Sequence, residues 1–205
     1  MEDYHPISVT SIIMRVLEKM VVQKFIYPIL RNPIYNLCFQ DQYAFRPTRS
    51  TEAALIKLID TVTNNLSKNK CVLAMSVDVS KAFDTVSHHV VINKLSNFDL
   101  PDDIFNWIND FLLHHKQMTK WGEATSSIKE INCGIVQGSG LGPFLFLFAI
   151  SDLVLTNDMI SYLKYADDTI VIFPNDDTSL VYAEWLHINN WARHNNLKIN
   201  EKKQK

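Results

Sequence analysis

Two periodicities of apolar positions alternate along this chain. From residue 10 to 30 apolar side chains recur at helical spacing with charged side chains between them, which predicts an amphipathic helix that ends at Pro28. A second helix is predicted to begin at Ser50, a residue type that favours the N-cap position. Its predicted buried face consists of Ala53, Ala54, Leu55, Leu58, Ile59 and Val62.

Strand patterns appear after these helices. The nearly continuous apolar run from Cys71 to Val77 predicts a buried strand that ends at Asp78. Helical patterns cover residues 86–97, 102–115, 141–155 and 178–196, and hairpins are predicted over 116–133 and 160–173. This order favours an α+β fold with a small antiparallel or mixed sheet. Helices are expected to cover one face of the sheet and to leave the carboxylates on the other.

Composition limits the class of protein. With 205 residues and 47% hydrophobic content, the chain can bury the core of one large domain, so disorder is not expected. The formal net charge of -2 argues against a large electropositive surface of the kind that binds nucleic acid. Basic side chains do gather locally, as in Arg46 with Arg49 and in the lysines after residue 197.

Several other classes of protein are disfavoured. The three cysteines are far apart and lack C-x-x-C spacing, so neither a disulfide scaffold nor a zinc site is predicted. The apolar stretch Leu141 to Leu155 contains Asp152 and is shorter than the roughly 20 residues that a membrane span requires. The first residues include Glu2 and Asp3 and lack the basic region of a signal peptide. The expectation is an intracellular protein without a membrane partner.

Two acidic positions are candidates for metal binding. Asp167 and Asp168 stand between two apolar, β-branched runs, and adjacent carboxylates raise each other's pKa unless they share a cation. Asp-Asp is also ordinary turn chemistry, so this pair alone leaves both interpretations open. Asp78 at the end of a predicted strand supplies a second acidic position. Together they predict a metal site of Asp78, Asp167 and Asp168.

Glycine is concentrated in one stretch. Of the five glycines, four lie in nine residues, at 134, 138, 140 and 142. Such a loop allows a ligand to approach the backbone closely, or it satisfies several positive φ angles, and both interpretations stay open. It matches neither the Walker pattern nor G-x-G-x-x-G.

Taken in order, six segments resemble the reverse transcriptase palm of jockey-like non-LTR retrotransposons. They are Pro6-Ile7-Ser8, Gln42 to Thr51, Asp78 to Asp84, Gly134 to Pro143, Tyr165-Ala166-Asp167-Asp168, and Leu197 to Asn200 with Lys203. Each segment alone is a weak signal, but their order and spacing are very specific. The resemblance implies one reverse transcriptase domain, with partial fingers in 1–70, the palm in 71–205 and room for a fingers insertion around 85–135.

The resemblance also implies a reaction. The expected activity is RNA-directed DNA polymerisation, in which deoxynucleotides are added to a primer 3′-hydroxyl by a two-metal mechanism. Two Mg²⁺ ions, for which Mn²⁺ could substitute, would be held by Asp78, Asp167 and Asp168. The implied partners are an RNA template, a DNA primer and deoxynucleoside triphosphates, and the implied compartment is the nucleus or the cytoplasm.

Further residues receive roles from the resemblance. Phe83 would lie against the 2′ position of the incoming sugar and reject ribonucleotides, although its pattern alone favours a core residue. Gln137 would touch the incoming nucleotide or its template partner, with Gly138 allowing close approach. Ala166 would form the floor beneath the primer end. Contacts with phosphate or template are implied for Arg46, Arg49 and Lys203, whereas Asp84 is expected to be structural.

Some positions depart from the family pattern. His5 replaces an arginine, Ala44 a glycine, Val136 a proline, Gly140 an aliphatic residue and Gln204 a threonine. Family polymerases also carry more fingers sequence and a thumb, so a partial chain without a thumb is expected. The alternative is therefore an inactive remnant that acts at most as a nucleic-acid-binding or protein-binding module. An RNA-directed RNA polymerase or a nucleotide cyclase is disfavoured by Phe83.

Overall fold

The computed structural model describes residues 10–113, 115–175 and 177–200, and its first element is a segmented helix. Helix α1 (Ile12–Val21) begins at Ser11, whose side chain accepts a hydrogen bond from the Met14 amide. A π-helical turn (Val22–Ile26) follows and leads into α2 (Tyr27–Arg31). The predicted end at Pro28 is wrong. The π turn places the proline in the first turn of α2, where its missing N–H costs nothing.

The apolar stripe of α1 faces outward rather than into the core. Its large side chains are exposed, namely Ile12, Ile13, Val16, Leu17 and Met20. The side chain that it buries completely, at 0% exposure, is Glu18. The amphipathic pattern therefore predicted the helix correctly. It did not predict the buried face, which in the folded chain is the one that carries the Glu18 carboxylate.

Helix α4 (Thr51–Leu66) follows a 3₁₀ turn (Pro33–Tyr35), helix α3 (Asn36–Phe39) and a loop. As predicted, Ser50 caps α4, and its side chain accepts from the Ala53 amide. The predicted buried face is wrong in part, since Leu55 and Ile59 are exposed while Ala54 and Thr61 are buried. Small side chains let α4 approach the neighbouring strand closely, and this contact leaves the larger residues outside.

Three antiparallel strands form the central sheet in the order β1-β7-β6. They are β1 (Leu73–Val77), β6 (Ser161–Tyr165) and β7 (Asp168–Phe173). The predicted strand over 71–77 and the hairpin over 160–173 are both present. Strand β1 is only half-buried, because Ala74 and Ser76 on one face are exposed. Isolated bridges extend the sheet at both edges, from Gln42 to Lys164 and from Val79 to Ile199.

Further helices follow β1 and β7. The helix predicted over 86–97 is α6 (His88–Leu95), and the one predicted over 102–115 is α7 (Asp102–Leu112). A short helix that was not predicted, α5 (Ala82–Thr85), precedes α6. The predicted 116–133 hairpin consists of two short ladders, β2 (Lys116–Gln117) with β5 (Lys129–Glu130) and β3 (Lys120–Trp121) with β4 (Ala124–Thr125). Helix α8 (Gly142–Ala149) is shorter than the predicted 141–155, and α9 spans Thr178–His194.

The core lies between the sheet and helices α8 and α9. Side chains of both helices, including Phe146 and Ile188, line one small cavity together with Val77 and Thr169 of the sheet. The opposite face is not entirely open, since Ala54 of α4 packs in a second cluster with Leu163 of β6. The fold is the predicted α+β architecture. Within the described residues, no helix is both long and apolar enough to cross a membrane.

Candidate functional site

Two of the predicted carboxylates lie at neighbouring strand ends. Asp78 directly follows β1, and Asp168 is the first residue of β7. The β1–β7 register pairs Val77 with Thr169, so its next position sets Asp78 opposite Asp168. Directly opposed residues of antiparallel strands have their Cα atoms about 4.5–5.5 Å apart and point to the same face. This face is the one on which Ser76 of β1 is exposed.

Asp167 belongs to the turn between β6 and β7. Tyr165 pairs with Asp168, which leaves Ala166 and Asp167 as a two-residue hairpin loop. Ala166 has a φ of 55°, the positive value that such tight hairpin turns require at their first central position. Asp167 is half-buried and borders the apolar cavity beneath the hairpin, beside Thr169.

The site can be tested for its fit to a divalent cation. Carboxylate oxygens are the ligands that Mg²⁺ prefers, and Asp78 and Asp168 present two carboxylates on one face of the sheet. Across residues 10–113, 115–175 and 177–200, no three His, Cys, Asp or Glu side chains are grouped so that they could hold a metal ion. The donor types therefore fit, while joint binding by Asp78, Asp167 and Asp168 stays a prediction.

Residues 197–200 support Asp78 from the far edge of the sheet. The Ser80 amide donates to the Lys198 carbonyl and the Asn200 amide donates to the Asp78 carbonyl, each at 2.8 Å. The Asn200 side chain also donates from Nδ2 to Oδ2 of Asp78 at 2.9 Å. This segment was noticed in the sequence only as part of the family resemblance. Its structural role is to hold the backbone and the carboxylate of Asp78.

Phe83 lies five residues beyond Asp78. On the short helix α5, its ring stacks on Phe146 with 4.4 Å between centroids and an interplanar angle of 24°. The ring is half-buried, and Phe45 contacts it edge-on at 6.5 Å. Phe83 is therefore both packed against the core and partly accessible, so its core role and its predicted sugar-contacting role are compatible.

The glycine stretch leads into α8, and its Ile135 amide donates to the Phe83 carbonyl of α5 at 2.6 Å. Gln137 donates from Nε2 to Oδ1 of Asp84 at 2.7 Å, which agrees with a structural role for Asp84. Gly134 and Gly138 have φ angles of 89° and 101°. A Cβ on Gly142 would lie 2.9 Å from the Ile135 side chain. Backbone conformation and packing thus explain three of the four clustered glycines, and Gly138 is also exposed.

Glu18 binds the loop immediately before α8, a role that sequence analysis missed. Its Oε2 accepts hydrogen bonds from Ser139 Oγ at 2.7 Å, the Gly140 amide at 2.5 Å and the Leu141 amide at 3.2 Å. A carboxylate at a helix N-terminus satisfies free amides and interacts favourably with the helix dipole. The buried carboxylate of α1 therefore positions the glycine loop.

The predicted phosphate-binding arginines are turned toward the protein. Arg46 donates from Nη2 to the Leu30 carbonyl at 2.9 Å and from Nη1 to the Phe39 carbonyl at 2.5 Å, and so caps α2 and α3. Arg49 lies 4.6 Å from the centroid of the Tyr43 ring. Their contacts with phosphate or template stay predictions. Lys203 and His5 lie outside the described residues.

Comparison with sequence families gives one match over the full chain. A family described as reverse transcriptase (RNA-dependent DNA polymerase) matches residues 1–205. The Retrovirus-related Pol polyprotein from type-1 retrotransposable element R2 of Popillia japonica is 25% identical over 98% of this chain and 29% of its own length. The RNA-directed DNA polymerase from mobile element jockey of Drosophila melanogaster is 22% identical over 98% and 23%. The chain thus spans less than a third of either relative.

Solved structures show the same fold. Telomerase from Candida tropicalis in complex with a fragment of telomeric RNA superposes with a TM-score of 0.65, at 14% identity, over 92% of this chain and 34% of that chain. An apo form truncated from the C-terminal domain gives a TM-score of 0.63 at 17% identity, over 97% and 44%. At these identities the likeness establishes the architecture and not the activity.

Proposed function

Because this chain belongs to the reverse transcriptase (RNA-dependent DNA polymerase) family, we propose that it is the RNA-directed DNA polymerase domain of a non-LTR retrotransposon. It would add deoxynucleotides to the 3′-hydroxyl of a DNA primer on an RNA template. Both relatives are named after mobile elements, which supports the retrotransposon origin. The proposed place of action is inside the cell, in the nucleus or the cytoplasm.

One observation carries the proposal. Asp78 and Asp168 are opposed at adjacent strand ends on an accessible face, and Asp167 lies in the turn beside them. Carboxylates at these positions supply the hard oxygen ligands that a divalent cation prefers. A strand end and a hairpin turn hold these groups on rigid elements, as a site for charged reactants requires.

Asp78, Asp167 and Asp168 are the residues that would hold the divalent ions of a two-metal mechanism, Mg²⁺ or, as a substitute, Mn²⁺. When bound, such ions lower the pKa of an attacking hydroxyl and neutralise the charge of a leaving pyrophosphate. The chain's own contribution is to position these carboxylates. Asn200 orients the Asp78 side chain through its hydrogen bond to Oδ2.

Other residues would select and orient the nucleotide. Phe83 would exclude a 2′-hydroxyl, and its stack on Phe146 fixes the ring in place. Gln137 would contact the nucleotide or its template partner after releasing Asp84, next to the exposed Gly138. Ala166 would lie beneath the primer end. Arg49 and Lys203 would contact phosphate or template, and Arg46 would do so only if it gave up its helix-capping bonds.

Primer extension on an RNA template with Mg²⁺ and deoxynucleotides tests this proposal. Asp167→Ala is compared with the original chain and with Asp158→Ala, which removes an exposed aspartate outside the site. We expect extension by the original chain and by Asp158→Ala but not by Asp167→Ala. If none of the three folded proteins extends a primer, the polymerase proposal fails, and the inactive-remnant alternative replaces it.

A further inference from the structure

The turn that carries Asp167 is held by a side chain from the N-terminal part of the chain. Gln42 is 2% exposed, and its Oε1 accepts hydrogen bonds from the amides of Ala166 and Ala44, each at 3.0 Å. Its Nε2 also donates to the Ala166 carbonyl at 3.4 Å. One buried amide side chain thus binds both backbone polar groups of the same turn residue.

We infer that Gln42 is a positioning residue for the Ala166-Asp167 turn. The effect of Gln42 on nucleotide addition rests on the function proposed above. Gln42 acts through the backbone of Ala166 rather than on the reacting groups, so it is not a catalytic residue. It fixes where the hairpin tip presents Asp167 and Asp168.

Ala166 requires such support for two physical reasons. A residue with a Cβ is disfavoured at its φ of 55°, by roughly 1–2 kcal/mol. Ala166 is also buried, and each buried backbone group without a partner costs about 1–3 kcal/mol. Without the Gln42 amide, the N–H and C=O of Ala166 would lose these partners. The φ angle would then relax until other groups bind them, and the hairpin tip would move. Asp167 is the next residue and would move with it.

The segment that carries Gln42 is itself hydrogen-bonded to the sheet. The Lys164 amide donates to the Asp41 carbonyl and the Tyr43 amide donates to the Lys164 carbonyl, both at 2.8 Å. These bonds fasten the backbone on either side of Gln42 to β6, just before the turn. On the outer surface of the same hairpin, the hydroxyls of Tyr165 and Thr51 form a hydrogen bond of 2.9 Å. The position of Gln42 relative to the turn is therefore determined by the sheet.

Substitution by leucine separates positioning from stability. Gln42→Leu keeps the approximate volume but leaves both Ala166 groups without their partner. The matched control is Thr156→Val, which removes a hydroxyl that donates to the buried carboxylate of Glu184, away from the hairpin tip. Both substitutions should lower the melting temperature. Only Gln42→Leu should accelerate hydrogen exchange of the Ala166 amide, measured by NMR, by about tenfold or more beyond the control.

Substitution by glutamate provides a readout that depends on pH. In its protonated form, the carboxyl introduced by Gln42→Glu can reproduce the glutamine pattern, because its carbonyl oxygen accepts and its O–H donates to the Ala166 carbonyl. The ionised form cannot donate, and burial raises the pKa of such a group. The ratio of kcat for Gln42→Glu to kcat for the original chain should therefore rise as the pH falls from about 8 to about 6. For Gln42→Leu the same ratio should stay constant.

Steady-state primer extension completes the test. We expect Gln42→Leu to reduce kcat by about 10- to 100-fold, since small misplacements of reacting groups have effects of this size, with little change in the KM for primer-template. Equal kcat values for Gln42→Leu and Thr156→Val, or a protected Ala166 amide in Gln42→Leu, would overturn the inference. The exchange measurement does not depend on turnover. If the original chain does not extend primers, the proposed function fails while this measurement still decides whether Gln42 holds the turn.

Discussion

Asn200 donates a hydrogen bond from Nδ2 to Oδ2 of Asp78, at 2.9 Å, across 122 positions of sequence. The same two residues are joined by their backbones, through the Asn200 amide and the Asp78 carbonyl. Hydrogen bonds to an ionised carboxylate are among the stronger ones in proteins, at about 1.5–3 kcal/mol. The side chain of Asn200 thus restricts the orientation of the carboxylate that our proposal places at the reaction centre.

Asn200→Ala should impair catalysis more than folding. Loss of the side-chain bond removes one restraint on the Asp78 carboxylate, so we expect kcat for primer extension to fall by about tenfold, the equivalent of about 1.4 kcal/mol. The control is Asn189→Ala, which removes an asparagine that donates to the Trp185 carbonyl at 2.9 Å on α9. If both variants lose the same fraction of kcat, Asn200 has no specific role at Asp78.

Phe83→Ala should relax discrimination against ribonucleotides. Removal of the ring opens space where the 2′-hydroxyl would lie, so the ratio of kcat/KM for ribonucleotides to that for deoxynucleotides should rise. The variant also loses the stack on Phe146 and should be destabilised by about 3 kcal/mol.

Phe111→Ala serves as the control for this loss of aromatic packing. Phe111 is half-buried on α7 and stacks on Trp107 with 6.0 Å between centroids, outside the site. Its removal should lower stability without changing nucleotide selection. An unchanged selectivity ratio in an active Phe83→Ala protein would show that Phe83 is a core residue only.

Glu18→Gln should destabilise the glycine loop and the start of α8. The neutral amide loses the charge that interacts with the helix N-terminus, and it replaces an acceptor that binds three donors. We expect a loss of about 1–3 kcal/mol, or several degrees in melting temperature, measured by circular dichroism. Glu52→Gln, at an exposed position in the first turn of α4, should have a much smaller effect. Equal effects of the two substitutions would contradict this account.

Lys164 should make stability depend on pH in the alkaline range. Burial lowers the pKa of Lys164 to about 8 from its ordinary 10.5, against the opposing effect of the Asp41 carboxylate. Between these values the unfolded chain binds more protons than the folded chain, so the lysine's contribution to stability rises as the pH increases from about 8 to 10.5. The total gain is roughly 3 kcal/mol, at about 1.36 kcal/mol per pKa unit.

Urea unfolding at several pH values, with and without Lys164→Met, measures this contribution. Both proteins should carry Cys38→Ala, because the charge of that nearby thiol, whose pKa burial raises, would interact with the charge of Lys164. The difference in free energy of unfolding between the two proteins should change steadily with pH, in favour of the protein that retains Lys164. A difference that is constant from about pH 8 to 10.5 would mean that Lys164 titrates normally.

Local sequence determined most of the elements and predicted the candidate site. The apolar run before Asp78 and the β-branched runs around Asp167 predicted the strands and the hairpin, because alternation and turn chemistry are properties of neighbouring residues. Ser50 predicted the start of α4 for the same reason, and its capping bond spans three residues. The order of the motifs then predicted the family, which the match over residues 1–205 confirms.

Only tertiary structure decided how these elements are oriented and fastened. The apolar stripe of α1 could not reveal that Glu18 faces inward, because the groups that it binds before α8 lie 121 to 123 residues away. The hydrogen bond between Gln42 and the Ala166 amide likewise joins residues 124 positions apart. Sequence periodicity reports which face of an element is apolar, whereas packing against distant elements determines which face is buried. Local pattern therefore predicted the carboxylates of the candidate site, and long-range hydrogen bonds hold the backbone that carries them.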